Sequence, residues 1–509
     1  MSPIPIAHGF DNDLYLERQT ATILERVGRF KNKLYLEFGG KLLYDYHASR
    51  VLPGFDPNIK MRLLQKLKQD AEIILCIYAG DIERRKIRAD FGITYDSDAL
   101  KLIDDLGEWG IEVSAVVISR YADELAAARA FKSRLERRGV NVYTHGFTKG
   151  YPADVDVIAS QEGYGANPYI PTTKPIVVVT GPGPGSGKLA TCLSQLYHDY
   201  KRGIQSGYAK FETFPVWNLP LKHELNVAYE SATADLKDVN AIDHFHLEAY
   251  NERTVSYNRD LEAFPIVKRI FEKITGGDSF YKSPTDVGVN QVSYGIIDDG
   301  AVREAARQEV LRRYFRCSCE YVMGVVEKEA LHRIELLVQE LGIKPEDRSV
   351  VLPARAAAER AREKGKGNAG VFCGAAIKLK DGRIVTGCNS PLMHAASSLV
   401  LNAAKELAGI PDAMHLLPQN ITESIARLKS EILHDKKVSL DLSETLTALG
   451  ISAISNTAAE FALKKLKELK GCEVHITHIP TPGDEAGMRK LGVNLTSDPE
   501  FSTKSLFVT

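Results

Sequence analysis

The run 175–196 constrains this chain more than any other, because an apolar stretch, Ile176-Val177-Val178-Val179, passes directly into Gly181-Pro182-Gly183-Pro184-Gly185-Ser186-Gly187-Lys188. It reads as a strand feeding a phosphate-holding turn. Four glycines remove the side chains that would keep an anion from backbone N–H groups, and the helix predicted over 189–200 aims its positive end at that anion. Lys188 adds a mobile point charge. These are the parts of a P-loop, yet G-x-x-x-x-G-K-[ST] requires glycine at Pro182 and a hydroxyl at Leu189. Neither is present. The nearest hydroxyl after the lysine is Thr191, about half a helical turn beyond the place of a magnesium-ligating residue. The expected ligand contacts are therefore Gly181, Gly183, Gly185, Ser186, Gly187, Lys188 and Thr191 around a nucleotide or sugar phosphate, with magnesium as the cofactor a nucleotide would bring. Lys188 is the candidate catalytic group, and no catalytic base is assigned. The competing reading is a tight β-α connection with a solvated lysine. Two prolines and four glycines in eight residues exceed what such a turn needs.

A chain of 509 residues is too long for one core and implies about three domains. Lys plus Arg (65) nearly cancels Asp plus Glu (66), so no global field draws the protein to nucleic acid or an anionic membrane. Seven scattered cysteines lack the dense pattern of a disulfide scaffold and read as reduced thiols. Residues 1–13 show no basic patch followed by an apolar core, and no apolar run approaches a membrane span. The expectation is a cytoplasmic protein with a phosphorylated small molecule as partner.

From 33 to 212 apolar runs alternate with helix-like segments, which argues for an α/β domain over 1–212 with a mostly parallel sheet. A Gly39-Gly40 turn is expected to join 34–38 and 41–46 as a hairpin. Further strands are predicted at 72–79, 111–119, 140–144 and 176–180, with helices at 58–69, 98–108 and 121–138. Ligands of such sheets sit beyond the carboxyl ends of the strands, where the glycine loop would lie. Residues 213–345 read as a mainly helical middle domain, with helical spacing over 219–236, 261–275 and 301–341. Its large apolar helices permit self-association into a homo-oligomer. A basic, alanine-rich segment, 353–366, leads into a third domain, 346–509, where strands return.

Other motifs carry weaker signals. His244, His246 and Glu248 fall at a period of two, so an extended segment would present them on one face as metal ligands. No fourth ligand is recognisable by spacing, and polar residues on an exposed strand or loop are the favoured reading. Asp298 and Asp299 precede a helical segment and read as its cap. Cys317 and Cys319 lie two apart in a helical pattern and point in different directions. His223-Glu224 begins like a zinc-peptidase helix, but Val227 breaks H-E-x-x-H. The segment 45–50, with Asp45, His47 and Arg50, could meet a phosphorylated substrate, though surface salt-bridging explains it equally well, and the loop 282–286 is of the polar kind that can line a cleft.

In the C-terminal third, 374–389 reads as a hairpin turned at Asp381-Gly382, His394-Ala395-Ala396 opens a helix, and 472–479 is a strand followed by Pro480-Thr481-Pro482-Gly483-Asp484 and a short helix. This order resembles the cytidine-deaminase fold, which places H-x-E at that helix start and P-C-x-x-C after that strand. Only His394 matches a zinc ligand. Ala396 stands in the place of the proton-shuttling glutamate, and 481–484 holds no cysteine, so the resemblance implies a deaminase-like domain without its zinc site. Phe38-Gly39-Gly40-Lys41, 45–54, the glycine loop, 210–220 and 281–286 together resemble an uncharacterised bacterial family classed as a domain of unknown function. Some relatives carry an ATP-dependent zinc protease label, which the missing H-E-x-x-H does not support. Two functions follow as expectations: binding of a nucleotide or phosphorylated metabolite with phosphate hydrolysis or transfer, or a non-catalytic sensor or assembly protein with a degenerate deaminase-like domain.

Overall fold

The apolar runs of the N-terminal third become six strands: β1 (Leu34–Phe38), β2 (Ala71–Tyr78), β3 (Val113–Ser119), β4 (Val142–His145), β5 (Ile176–Thr180) and β6 (Gly207–Phe211). The computed structural model describes residues 8–31, 33–88, 92–435 and 437–503. The strands form one sheet in the order β4-β3-β2-β5-β1-β6, with every neighbouring pair parallel. A parallel sheet needs both faces covered, which is why β1 and β5 are buried at every position and apolar at all but Glu37 and Thr180. Val177 and Val179 of β5 pack with Cys192, Leu193 and Leu196 of the Lys188–Lys201 helix on one face. Helices Asn12–Arg29, Ile59–Leu67 and Tyr95–Glu108 contact one another or the sheet.

Two expectations are corrected. Gly39-Gly40 does not close a hairpin: β1 pairs in parallel with β5 and β6 inside the sheet, and the chain beyond it forms a short helix, Tyr46–Val51. The cause is local as well as tertiary. Asp45 accepts a hydrogen bond from the Ala48 N–H and caps that helix, so 41–46 never extends as a partner strand. The segment 244–248 is likewise not extended but lies in the helix His244–Tyr250, capped by Asp243. On that helix His244 and Glu248, four apart, share a face, while His246, two residues from each, points elsewhere, so the three do not converge as a set.

Among the described residues the chain divides into two compact units, 8–230 with 238–306, and 231–237 with 307–503. The first also contains an antiparallel pair, Asn240–Ile242 with Val255–Tyr257, in a stretch whose strand signals are faint. The second is built on β7 (Gly374–Lys378), β8 (Ile384–Cys388), β9 (Glu473–Ile476) and β10 (Asn494–Ser497), in the order β8-β7-β9-β10. Here β7 is antiparallel to β8 and β9, and β9 is parallel to β10. Ala375 and Ile377 of β7 share a core with the Ala395–Ala408 helix, and Ala376 packs with Ala354 of the Val351–Glu363 helix, so the sheet lies between two helical layers.

Candidate functional site

The glycine loop leaves the sheet at its centre, where β5 runs between β2 and β1. Each glycine has a steric reason. A Cβ at Gly181 would strike the Cys76 carbonyl, and one at Gly183 would strike the Tyr95 ring. Gly185 and Gly187 adopt φ of +72° and +94°, which side chains resist. Ser119, at the tip of β3, donates a 2.9 Å hydrogen bond to the Ser186 carbonyl and holds the loop from below. Gly187 is the N-cap of the Lys188–Lys201 helix and supplies no side-chain cap, so the first-turn N–H groups keep their donors. Lys188 Nζ reaches back across the turn, 3.4 Å from the Gly183 carbonyl and 3.5 Å from Ser186 Oγ. The loop is a fixed cradle of backbone donors with a lysine folded over it.

Thr191 is not part of that cradle. It is fully buried, and its hydroxyl accepts a hydrogen bond from Cys76 Sγ at 3.4 Å. Burial pushes the Cys76 thiol up to about 12, so it stays a neutral donor. At the foot of the loop, Thr180 Oγ1 is buried without a hydrogen-bond partner among the described residues.

Beside the loop lies a cavity of about 30 Å³, walled by Gly181 and Pro182, by the segment after β1 from Gly40 to Tyr44, and by Arg88, Asp98, Lys101 and Asp105. Arg88 pairs with Asp98, and Lys101 with Asp105. Nothing in the sequence marked this wall. Its elements meet the loop only through packing, the Tyr95 ring standing against Gly183.

On the other side, at the tips of β1 and β6, the charges change sign. Glu37 is buried within β1 and accepts a 2.6 Å hydrogen bond from the Tyr208 hydroxyl. Lys210 bridges Asp260 at 2.8 Å and Glu212 at 3.0 Å. Burial opposes the Lys210 charge, but Asp260 and then Glu212 outweigh it and hold the ammonium above its usual range. Burial raises the Glu212 carboxyl against the pull of Lys210. Asp45, despite its burial, is held low by Lys60 and then His47. Lys60 Nζ stands 3.2 Å from Asp45 and also donates to the Lys41 carbonyl at 3.0 Å, which pins the segment after β1. A carboxylate inside an otherwise apolar strand, Glu37, was a signal the sequence did carry.

Several of the remaining candidates meet partners within the protein. His246 Nδ1 lies 2.8 Å from Ser283 Oγ, and Ser283 caps the following turn. Asp298 caps the Asp299–Val322 helix through the Ala301 N–H, while Asp299 meets His223 at 2.8 Å. Cys319 Sγ lies 3.3 Å from Ser497 Oγ. His394 Nδ1 lies 2.8 Å from Asp484 Oδ2, and Asp484 also accepts from the Leu442 N–H and the Thr481 hydroxyl. No group of three or more His, Cys, Asp or Glu among the described residues is arranged to hold a metal ion. No helix among them is long and apolar enough to cross a membrane.

Comparison with known proteins places these features in one family. The N-terminal domain of unknown function DUF1846 matches residues 8–342, and its C-terminal counterpart matches 346–507. A UPF0371 protein of Clostridium tetani (strain Massachusetts / E88) is 57% identical over 499 residues, covering 98% of this chain and 99% of the relative. A UPF0371 protein of Clostridium botulinum (strain Langeland) is 58% identical over 500 residues, with the same coverage. The chain belongs to the DUF1846 family.

Proposed function

We propose that this DUF1846 protein binds a phosphorylated small molecule, with its phosphate seated on the backbone N–H groups of 183–188. The observation that carries the reading is the uncapped start of the Lys188–Lys201 helix beneath a rigid glycine turn at the carboxyl edge of a parallel sheet. Helix-start donors and the local dipole favour an anion there, and Lys188 supplies the charge that balances it. If the phosphate is hydrolysed or transferred, Lys188 neutralises the charge developing on its oxygens, and the N–H groups hold them in place.

A magnesium nucleotide fits the loop poorly. Leu189 occupies the position of the metal-ligating hydroxyl, and Thr191 is engaged with Cys76 in the core. No step is therefore assigned to a protein-held metal.

The rival reading is a non-catalytic sensor or assembly protein. The order β8-β7-β9-β10, with β7 antiparallel to both neighbours, supports a deaminase-like C-terminal module. In it His394 meets Asp484 rather than cysteine thiolates, which favours a use other than zinc chemistry. Calorimetric titration of the full chain with inorganic phosphate, small sugar phosphates and nucleotides tests the leading reading. Binding that falls at least tenfold in Lys188→Ala supports it, and no binding of any phosphorylated compound overturns it. Phosphate release or transfer that vanishes in Lys188→Ala separates an enzyme from a sensor.

A further inference from the structure

The cavity beside the glycine loop says what the rest of the ligand is. Its wall alternates donors and acceptors: the Arg88 guanidinium, the Asp98 carboxylate, the Lys101 ammonium and the Asp105 carboxylate. A hydroxyl, which donates and accepts at once through a single small group, satisfies such a wall. Asp105 keeps acceptor capacity after meeting Lys101, since an ionised carboxylate offers about four lone-pair sites. Size points the same way. A cavity of about 30 Å³ holds two or three water-sized groups, since one water needs roughly 10–15 Å³ on that measure. Two sugar hydroxyls fit; a purine does not.

The opposite wall is fixed at some conformational cost. Tyr44 holds φ at +56°, a region bulky residues avoid. Its N–H donates to Asn58 Oδ1 at 3.0 Å, and the Lys101 ammonium stands 5.1 Å from its ring centre. The Tyr95 ring against Gly183 sets the spacing between the helix carrying Asp98, Lys101 and Asp105 and the turn that would carry the phosphate. Because Gly181 and Pro182 line the cavity themselves, a phosphate on the loop and hydroxyls in the cavity belong to one small molecule.

We propose that the ligand is a small sugar phosphate, its phosphate on the loop 183–188 and two of its hydroxyls in the cavity bounded by Arg88, Asp98, Lys101 and Asp105. The proposal rests on the phosphate reading of the loop, and its test separates the two. The full-length protein is titrated by calorimetry with inorganic phosphate, ribose 5-phosphate, 2-deoxyribose 5-phosphate and AMP. The expected result is ribose 5-phosphate at least tenfold tighter than inorganic phosphate, with much of that margin lost in the 2-deoxy compound. The ratio collapses in Asp105→Asn, whereas Lys188→Ala weakens phosphate and sugar phosphate alike. Inorganic phosphate and ribose 5-phosphate binding equally, or AMP binding tighter than ribose 5-phosphate, overturns the sugar assignment while leaving the loop intact. No binding by any of the four overturns both. Should Asp105→Asn lose its native circular dichroism, the 2-deoxy comparison on the wild-type chain decides.

Discussion

His145 gives a quantitative test of how the sheet's carboxyl edge is built. It ends β4, is 3% exposed, and its Nε2 meets no hydrogen-bond partner among the described residues. Burial, and then the neighbouring His198, push the imidazole from 6.5 down to about 4. Between those values the unfolded chain binds a proton that the folded chain refuses, so stability falls as pH falls through this window. The full difference is worth about 3 kcal/mol below both values, and about 2 kcal/mol of it develops between pH 7 and pH 5. His145→Leu removes the titration while keeping an apolar filling of similar size. Urea unfolding followed by tryptophan fluorescence reads the right unit, because Trp109 and Trp217 both lie within 8–230, as His145 does. The wild-type chain should lose about 2 kcal/mol more than His145→Leu between pH 7 and pH 5. Equal losses would refute the account of a neutral, enclosed imidazole.

Two further substitutions probe the loop and the other unit. Gly187→Ala places a Cβ 2.6 Å from that of Ser119 at a φ of +94°, and should cost about 2–4 kcal/mol in urea unfolding while weakening phosphate binding; wild-type stability would refute the steric account. Arg348→Ala removes a buried guanidinium that pairs with Glu473 at 2.5 Å and donates to Thr496 Oγ1 at 2.9 Å and the Asn494 carbonyl at 2.8 Å. Thermal unfolding by circular dichroism should show a loss of about 3–5 kcal/mol, and a loss below about 1 kcal/mol would mean that Arg312 alone suffices for Glu473.

What could be read from the chain was what is local. The strand–loop–helix unit of β5 and the Lys188–Lys201 helix shows in sequence because its apolar run, its glycines and its helical spacing lie within one short stretch. The C-terminal hairpin shows for the same reason, Gly382 taking the positive φ, +89°, that its turn requires. The misread segments failed on competition between local signals. Gly39-Gly40 looks like a turn between two strands, but Asp45 caps a helix and leaves β1 to pair across the sheet. At 244–248 the alternation of ligating residues outweighed the cap signal of Asp243, which the fold obeys. The cavity wall was beyond reach for a different reason. Arg88, Asp98, Lys101 and Asp105 are ordinary surface letters until Tyr95 docks on Gly183, and no periodicity announces a contact between segments so far apart in the chain.

The charges at the sheet's edge bear on the direction in which a ligand would lie. Lys41, Arg88 and Lys101 line the same cavity as Gly181 and Pro182, Asp98 and Asp105 offset two of these charges, and Lys188 crosses the turn itself. Around the tips of β1 and β6 the carboxylates Glu37, Glu212 and Asp260 outnumber Lys210. A phosphate at that second position would face net repulsion in a partly buried setting, where charges act more strongly than in water. At the glycine loop it meets backbone donors and ammonium groups instead. On the proposed reading the sheet edge therefore favours the phosphate at β5 over β6. On the same reading Glu37, whose carboxyl accepts from Tyr208, adds to the acidic character of the neighbouring strand end.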